Sequence, residues 1–449
     1  MRHQICIFED PAFVDFFPLT LAQPVFDLRV GAGTLRSRWP SGGTKGVALI
    51  CRDYLADAVR LAVPGAAVNA PFDADTLFVN ARWLCFAKES DALLSALGAN
   101  TVALQAGSIV AARIDKSGSA DFANHLRSHL TDAAVFEACE RLGSRATAAK
   151  EPSPHAAGDV PPELARLIAA RAWKKLDARD ARLLAFPWQL IEHNAACIRD
   201  DFERAQATGG KPSLHPAVTI VAPERVVIGA QAALRPGVVI DASDGPVLIG
   251  EGARVMPNAT IIGPVSIGSR SVVKAGARVL SGTSIGSTCK VGGEVDETIF
   301  ADYSNKQHDG FLGHSYVGSW VNIGAATNNS DLKNNYGTVR MWSAGRARDT
   351  GRQFLGLVMG DHTKIGISAV FNTGTVVGFN CNLYSSEMPD AFVPSFSWGH
   401  GREVAPYELA KAMQTAALAM QRRAVDFTDV HRRLFERVHD IVVRSGRNA

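Results

Sequence analysis

The sequence lacks paired cysteines. Its seven cysteines are an odd number, are widely scattered and include no Cys-x-x-Cys pair. Neither a disulfide framework nor a cysteine-rich zinc site is therefore expected. Cys289 and Cys381 fall at repeat positions that need small apolar side chains, which predicts a packing role for both.

The sequence also lacks a long apolar run and an excess of charge. No stretch reaches the ~18 uninterrupted apolar residues of a membrane span. The opening MRHQICIFEDPAF carries an Asp and a Glu where a secretory signal would be apolar. Lys plus Arg is 47 and Asp plus Glu is 44, far from the concentrated positive charge of a nucleic-acid binder. We therefore expect a cytoplasmic protein without nucleic-acid or membrane partners.

What the chain does have is an aliphatic residue at every sixth position. A chain of 449 residues is expected to form at least two domains, and the repeats mark one of them. The aliphatic residues are Ile249, Val255, Ile261, Ile267, Val273, Val279, Ile285 and Val291. Four residues after each comes a small or β-branched side chain, as at Ala253, Ala259, Ser271, Ala277 and Cys289.

A period of six fits neither an amphipathic helix nor a half-buried strand. It predicts a left-handed parallel β-helix, in which each six-residue unit forms one face and three units complete a turn. Successive turns then stack at about 4.8 Å. The pattern begins at Ile228, Leu234 and Ile240, and it returns from Met359 to Leu383. Between Ile299 and Leu357 the count of six breaks, which predicts loops projecting from the coil.

The region before the repeats predicts an α/β domain and a connector. Short apolar runs (QICIF, GVALI, TLFVN, SIVAARI) separated by helical stretches favour an α/β sheet. The Pro-, Ala- and Ser-rich stretch at 143–161 predicts a linker, and Leu164, Leu167, Ile168 and Leu176 follow a helical spacing. We predict an α/β domain at 1–142, linker and helical connector at 143–210, the β-helix at 211–400 and a helical tail at 401–449. The tail's many arginines are expected on a solvated helix face.

The irregular stretch YSNKQHDGFLGHSYVGSWVNIGAATNNSDLKNNYG resembles the β-helix domain of the bacterial N-acetylglucosamine-1-phosphate uridyltransferase group (GlmU-like). In that group a His and a Tyr precede VNIGAGT and an Asn-Tyr loop. Here Gly313, His314 and Tyr316 match the first element, Val321 to Thr327 the second, and Asn335 with Tyr336 the third. The opening FFPLTLAQPVFDLRVGAGTLRSRWP resembles a divergent nucleotidyltransferase-like domain fused to such β-helices, so the resemblance implies a divergent member of the group.

The first domain departs from that resemblance in two places. Sugar nucleotidyltransferases hold phosphates on a GxGTRM loop after the first strand, but here QICIFED leads into PAFVDFFP without a glycine. Gly31 to Arg36 looks like that loop but lies about 25 residues too late, and coincidence is one reading of it. The family ends a central strand with a magnesium-binding Asp, whereas TLFVNAR has Asn80.

The resemblance implies acyl transfer from an acyl-coenzyme A, such as acetyl-coenzyme A, to an amino sugar phosphate. His314 would be the general base, because a neutral imidazole suits proton removal near pH 7. Tyr316 and Asn322 would position sugar or acyl groups, with Asn335 and Tyr336 in the substrate loop. Lys333 and Lys364 would attract phosphates. His308 and His362 are rival bases, and a structural histidine is an equal alternative for His314.

The resemblance also implies a nucleotidyl step in the first domain. It would join a sugar-1-phosphate to a nucleoside triphosphate with Mg²⁺, and Arg29, Arg36 and Arg38 would neutralise phosphate oxygens; a solvated helix face explains these arginines equally well.

We expect a homotrimer, since prisms of this type pack three together. The alternative is a nucleotide-sugar binding or regulatory protein with a degenerate first domain and a β-helix that serves as an assembly scaffold.

Overall fold

A computed structural model describes residues 4–39, 47–145, 160–205 and 213–447. The predicted linker at 143–161 falls largely outside these residues. None of the described helices is long and apolar enough to cross a membrane.

The first domain is a twisted α/β sheet. Its strands are β1 (Gln4–Phe8), β2 (Arg29–Val30), β3 (Gly33–Thr34), β4 (Val47–Ile50), β5 (Ala67–Val68), β6 (Thr76–Asn80), β7 (Thr101–Gln105), β8 (Ser108–Ile114) and β9 (Lys174–Asp177). Seven form one sheet in the order β5-β4-β1-β6-β8-β7-β9, and β2 pairs with β3 as a hairpin. β1 is central, is parallel to both neighbours and has buried apolar side chains. Burial on both faces is typical of such a strand, and the sheet confirms the predicted α/β class.

Six helices accompany this sheet in the described residues. They are α1 (Ala56–Ala62), α2 (Ala87–Ala96), α3 (Lys116–Ser128), α4 (Asp132–Arg145), α5 (Pro162–Ala170) and α6 (Trp188–Ala205), with 3₁₀ turns at Pro11–Phe16, Val25–Asp27, Arg36–Arg38 and Asp53–Leu55. The predicted helical spacing is wrong at Leu176, which lies in β9 beside β7. Strand pairing outweighs the local pattern there, so part of the predicted connector belongs to the first sheet.

The second half is a coil of very short strands. They are β10 (Ser213–Leu214), β11 (Thr219–Val221), β12 (Val226–Ile228), β13 (Ala233–Leu234), β14 (Val239–Asp241), β15 (Val247–Ile249), β16 (Arg254–Val255), β17 (Thr260–Ile262), β18 (Val265–Ile267), β19 (Val272–Val273), β20 (Arg278–Val279), β21 (Thr283–Ile285), β22 (Lys290–Val291), β23 (Glu294–Asp296), β24 (Ile299–Phe300), β25 (Asn305–Lys306), β26 (Phe311–Gly313), β27 (Tyr316–Val317), β28 (Asn322–Ile323), β29 (Asn328–Asn329), β30 (Arg340–Ser343), β31 (Arg346–Asp349), β32 (Val358–Met359), β33 (Lys364–Ile365), β34 (Val370–Phe371), β35 (Val376–Val377), β36 (Asn382–Leu383), β37 (Phe392–Val393), β38 (Ser397–His400) and β39 (Glu403–Pro406). A 3₁₀ turn lies at Pro223–Arg225.

These strands stack into three parallel faces. We call them face D, which begins with β10, face E, which begins with β11, and face F, which begins with β12. The repeat residues point inward and form one apolar core that runs along the coil. Ile261 and Val279 are fully buried, as are the small residues Ala253 and Cys289. The predicted left-handed β-helix and its register are confirmed.

The prediction of loops throughout 299–357 is wrong for its first half. Phe300, Lys306, Leu312, Val317 and Ile323 continue the inward positions, and their strands pair with the turns on either side. The count of six breaks because some sides of the prism hold only four or five residues. The excursion from the coil is confined to the segment between β29 and β32, which carries the β30–β31 hairpin.

Face F of the coil is covered by the first domain. Outward residues of this face, Ile299, Tyr316, Val358 and Val376, belong to the same apolar core as the first domain. The hairpin reaches the same domain, because the Ser343 hydroxyl donates to the Asp15 carbonyl at 2.9 Å. The two halves of the chain therefore share one interface.

Two helices close the molecule: α7 (Leu409–Gln421) and α8 (Asp429–Arg444). The arginines of this tail lie on partly to largely exposed positions, as predicted, and three of them also pair with acids of the first domain. Arg433, Arg437 and Arg444 pair with Asp57, Asp132 and Glu140 of the first domain. Phe435 of α8 packs on Phe379 at the edge of the coil, with ring centroids 5.1 Å apart. α8 thus connects both halves.

Candidate functional site

His314 lies at the corner where the chain passes from face E to face F. Its backbone adopts φ of +46°, which turns the chain sharply after β26. Nδ1 lies 2.9 Å from Asp331 Oδ2, and Nε2 lies 3.4 Å from Glu297 Oε2. Phe354 stacks on the ring at 5.4 Å. Asp331 and Phe354 come from the two ends of the insertion, so the insertion builds the surroundings of this imidazole.

The charges around His314 raise its pKa. Burial favours the neutral ring and is the largest single effect, but the hydrogen bond to Asp331 and the charges of Glu297, Asp331 and Asp296 together outweigh it. A carboxylate at Nδ1 fixes the tautomer in which Nε2 accepts a proton once the ring is neutral. This pair has the geometry of an oriented general base.

The predicted role of Tyr316 in contacting substrate is wrong for this conformation. Its side chain points outward from face F and is fully buried under the first domain. The Arg29 backbone N–H donates to its hydroxyl at 2.8 Å, and burial raises the pKa of the phenol. Tyr316 is instead part of the interface between the two halves.

Lys333, Asn335 and Tyr336 lie together in the insertion, beyond Asp331. The Lys333 ammonium donates to the Thr338 carbonyl at 2.6 Å, and the Asn335 side chain accepts from the Gly337 N–H at 3.1 Å. Tyr336 is 69% exposed. The loop therefore presents an exposed aromatic ring on the same excursion that supplies Asp331.

Asn322 and Lys364 lie on the outer surface of face D, in one column of cross-strand neighbours. The column runs Lys290, Asn305, Asn322, Lys364. α7 lies over it and leaves a groove of about 320 Å³ that is also lined by Tyr303, Gln307, Trp320, Thr415, Leu418, Ala419, Arg422 and Arg423. The structure brings these two predicted residues together but leaves them on a different side of the prism from His314.

This groove, which we call the face D groove, is strongly basic. Four basic side chains line it, Lys290, Lys364, Arg422 and Arg423, and its lining residues include no acid. The Lys364 amino group donates to the Trp320 and His362 carbonyls. Burial lowers the pKa of Lys364 to about 7. Burial and then the neighbouring cations Arg423, Lys274 and Arg422 lower the pKa of Lys290. Tyr303 and Trp320 stack at 4.1 Å on its floor. Such a groove favours a ligand with phosphates and a flat ring.

The two rival histidines occupy opposite environments. His308 is exposed. His362 is buried against Trp320, Phe379 and Phe435, and its Nδ1 has no hydrogen-bond partner among the described residues. Burial, with the nearby Lys364 and His431 charges, holds the pKa of His362 well below its usual value. Neither has a carboxylate within hydrogen-bond distance to orient it in the described residues.

Arg29 and Arg36 line a second cavity of about 360 Å³, where the first domain, the coil and α8 meet. Both charges already have partners: Arg29 contacts Asp302 at 2.6 Å and Arg36 contacts Asp27 at 2.9 Å. Arg38 is buried and pairs with Asp200 and Asp201 of α6. The prediction that Arg38 binds phosphate, and its alternative of a solvated face, are both wrong, because this guanidinium joins the first domain to the connector helix.

Gly31 to Arg36, which resemble a phosphate-binding loop in sequence, contact the same helix, α6. The Gly31 N–H donates to Asn194 at 2.7 Å, and the Ala32 N–H donates to the Asp201 carboxylate at 2.8 Å. A Cβ at Gly31 would lie 2.2 Å from Asp201 Oδ2. These two N–H groups are therefore occupied by the Asn194 amide oxygen and the Asp201 carboxylate of the chain itself.

At the carboxyl ends of the strands of the first sheet lie two carboxylates that are paired with arginines. Glu9 follows β1, is fully buried and pairs with the buried Arg52 at 3.0 Å. Asp10 pairs with Arg82 at 2.5 Å and accepts from the Asn80 amide at 2.8 Å. This is where open α/β sheets bind ligands.

These residues do not fit the Mg²⁺ that the resemblance implies. The Asn80 side chain is fully buried and donates to Asp10 and to the Ile109 carbonyl, while its oxygen accepts from the Arg82 N–H. The Asp10 carboxylate is engaged by Arg82. The side-chain oxygens of Asn80 and Asp10 are therefore already engaged. A hard cation such as Mg²⁺ binds best to free carboxylates and waters.

Some residues of these sites were not predicted from the sequence, and only part of them left a signal in it. Asp331 lies in the quoted stretch but in none of its three matched elements, and Glu297 precedes the stretch. No spacing connects either residue to His314, because the fold of the insertion and of the preceding coil turn brings them together. Arg422 and Arg423 stand out only as a pair at the end of a helix. Lys290 occupies a repeat position next to the inward Val291, so its outward direction follows from strand alternation.

Comparison with known families matches both halves of the chain. Residues 5–208 match the model described as sugar nucleotidyl transferase, and residues 246–281 match the model described as bacterial transferase hexapeptide, six repeats. A bifunctional sugar-1-phosphate nucleotidylyltransferase/acetyltransferase of Sulfurisphaera tokodaii is 29% identical over 97 residues, which is 21% of this chain and 24% of that protein. The chain thus spans about a quarter of the length of this curated relative.

The chain was also matched to solved structures. The UDP-N-acetylglucosamine acyltransferase from Campylobacter jejuni covers 49% of this chain and 81% of its own, with 13% identity and a TM-score of 0.28. An N-acyltransferase from Bacillus cereus in complex with coenzyme A covers 47% and 89%, with 13% identity and a TM-score of 0.16. The family matches and the curated relative confirm the predicted resemblance at the level of domains.

Proposed function

Because the chain joins a sugar nucleotidyl transferase domain to bacterial transferase hexapeptide repeats, we propose that it is a GlmU-like sugar-phosphate transferase. In this proposal the coil moves an acyl group from an acyl-coenzyme A, such as acetyl-coenzyme A, to the amine of an amino sugar phosphate. The observation that carries it is the His314 imidazole held by Asp331 at 2.9 Å.

The reaction needs an amine that loses a proton as it attacks the thioester carbonyl. Neutral His314 would accept that proton at Nε2, while Asp331 would stabilise the imidazolium that forms. The new bond is the amide carbon–nitrogen bond, and the coenzyme A thiolate leaves with the electrons of the broken carbon–sulfur bond. The leaving thiolate then takes a proton, which His314 can supply.

The face D groove supports binding of the donor. Acyl-coenzyme A carries several phosphates and an adenine ring, and the groove offers four basic side chains and two stacked aromatic rings. Guanidinium groups bind phosphate oxygens with two parallel hydrogen bonds, which suits Arg422 and Arg423. Asn322 and Lys364 line the same groove, and in this proposal they contact the donor.

The separation of this groove from His314 supports a homotrimer. In one chain the groove lies on face D, while His314 lies at the corner between faces E and F. A neighbouring copy that presents its own His314 corner to the groove would complete the site. Light scattering should then give a trimer mass, and a monomer mass at micromolar concentration would count against this arrangement.

Mixed oligomers test the shared site directly. We expect His314→Ala and Arg422→Glu/Arg423→Glu proteins to be inactive when assayed separately. After co-refolding, some interfaces would join an intact His314 to an intact groove, so part of the acyl transfer should return. Absence of recovery in verified mixed trimers would show that donor and base act within one chain.

Replacement of His314 tests the base. We expect His314→Ala to lower turnover by roughly 10²- to 10⁴-fold, whereas the exposed His308→Ala on a neighbouring turn should retain it. If His308→Ala or His362→Ala abolishes transfer while His314→Ala does not, the site lies elsewhere. If none of the three matters and no acyl-coenzyme A binds, the coil is an assembly scaffold.

For the first domain the geometry argues against nucleotidyl turnover, and we propose the alternative function, recognition of a nucleotide sugar. The paired carboxylates Glu9 and Asp10 occupy the edge where triphosphate and Mg²⁺ would act. A panel of sugar-1-phosphates, nucleoside triphosphates and Mg²⁺ should therefore yield no pyrophosphate. Pyrophosphate release that Arg82→Ala abolishes would restore the nucleotidyl reading.

A further inference from the structure

Three potential metal ligands converge on the first domain, and none of them belongs to the sites described above. His125, His129 and Glu163 each offer one ligand atom, and these atoms all lie within 4.8 Å of one another. The two imidazole rings are 5.3 Å apart at 85°, and His129 Nε2 lies 3.8 Å from Glu163 Oε2. No other such group of three occurs in the described part of the chain.

Two helices set this geometry. His125 and His129 are four residues apart at the end of α3, so they lie on one side of it. Glu163 lies in the first turn of α5. Asp121 of α3 pairs with Arg171 at the other end of α5, so the helices run antiparallel and the three ligands meet at the end opposite that ion pair.

We propose that His125, His129 and Glu163 bind a zinc ion that fastens α5 to α3. Two imidazole nitrogens and one carboxylate oxygen form a donor set that Zn²⁺ prefers, with water as the fourth ligand. Tetrahedral bonds of about 2.1 Å would bring the three ligand atoms to about 3.4 Å from one another. Small side-chain rotations achieve this, because Glu163 is exposed and both histidines are only partly buried.

The ion would fix the part of the chain that leads into β9. α5 precedes this edge strand, and Leu164 and Ile168 of α5 are buried in the domain core. Pulling α5 against α3 would therefore stabilise the end of the sheet. This role is structural and does not depend on the acyl transfer proposed above.

The test is zinc binding to the chelator-treated full chain. Calorimetry should give one Zn²⁺ per chain, and a hundred-fold excess over Kd should raise Tm by roughly 5 °C. Co²⁺ should give the visible absorption of a low-coordinate site. His125→Ala and His129→Ala should abolish these signals, and Glu163→Gln should weaken binding without disturbing the fold.

The matched control is His400→Ala, which removes an exposed histidine that also lies beside a carboxylate, Glu403, but belongs to no group of three. It should bind zinc as the wild type does. The proposal is overturned if the wild type binds no stoichiometric Zn²⁺ at millimolar concentration, or if binding survives both histidine replacements. Retained folding of Glu163→Gln, checked by circular dichroism, separates lost binding from lost structure.

Discussion

At the scale of single residues, the environment of His314 fixes both its charge and its direction. The imidazole is flanked by Asp331 and Glu297, and its pKa is raised. A base must be neutral to accept a proton, so the rate of acyl transfer should increase as pH rises through this pKa. Activity is therefore expected to be greater in mildly alkaline than in acidic solution.

Asp331→Asn should change this pH dependence. Loss of the carboxylate lowers the pKa of His314, so the rise in kcat/KM should begin at lower pH. Its plateau should fall by about 10-fold or more, because the amide favours the wrong tautomer. A pH–rate profile of both proteins measures this, and an unchanged profile would remove His314 from the base role.

The same substitution should alter stability in a defined window of pH. A histidine whose folded pKa is raised stabilises the fold fully below its unfolded pKa near 6.5, and this contribution disappears as pH rises through the folded pKa. Asp331→Asn should therefore lose more stability at pH 5.5 than at pH 8.5. Denaturant unfolding at the two pH values checks the sign.

At the scale of elements, the coil depends on its inward corners. Ile267 is 2% exposed, whereas Arg270 lies three residues later, at the next corner of the coil, and is exposed. Ile267→Asp would bury a carboxylate without a partner, which should lower the free energy of unfolding by at least about 4 kcal/mol. Arg270→Asp is the matched control and should change it by less than about 1 kcal/mol. Similar melting temperatures for both variants would contradict the register.

The sequence predicts the coil where its sides have six residues and fails where they shorten. Val291 and Val295 both point inward although Val295 follows Val291 by four positions instead of six. The next turn places Lys306 at an inward position, where its ammonium donates to the carbonyls of Gly292, His308 and Gly310. A lysine at a position that otherwise holds aliphatic residues makes the six-residue repeat hard to recognise in the sequence. Only the structure shows that the three carbonyls at this position need a hydrogen-bond donor.

Contacts between distant elements explain the remaining misses. Tyr316 matches a family motif, yet the first domain covers face F and buries it. Arg38 has no sequence relation to Asp200 or Asp201, which lie on α6. The outward direction of Asn322 and Lys364, by contrast, follows from strand alternation alone.

At the scale of the whole molecule, α8 couples the two halves. Phe435 is buried against the coil, while Arg437 on the same helix pairs with Asp132 at 2.8 Å. Phe435→Ala should cost about 3–5 kcal/mol and should separate the unfolding of the first domain from that of the coil. Calorimetry should then resolve two transitions. Val443→Ala, at a site 59% exposed on the same helix, should leave one transition, and a single unchanged peak for Phe435→Ala would refute the coupling.

The two ends of the coil differ in a way that limits self-association. The last turn is covered, because β39 pairs antiparallel with β38 and Arg447 donates to the carbonyls of Ser395 and Phe396. The first described turn leaves Leu214 and Val221 more than two fifths exposed. Unpaired strand edges act as templates for further strands, and a filament needs such a template at both ends. Among the described residues, only the first end of the prism leaves its strands open, so we expect end-to-end pairing to stop after one junction.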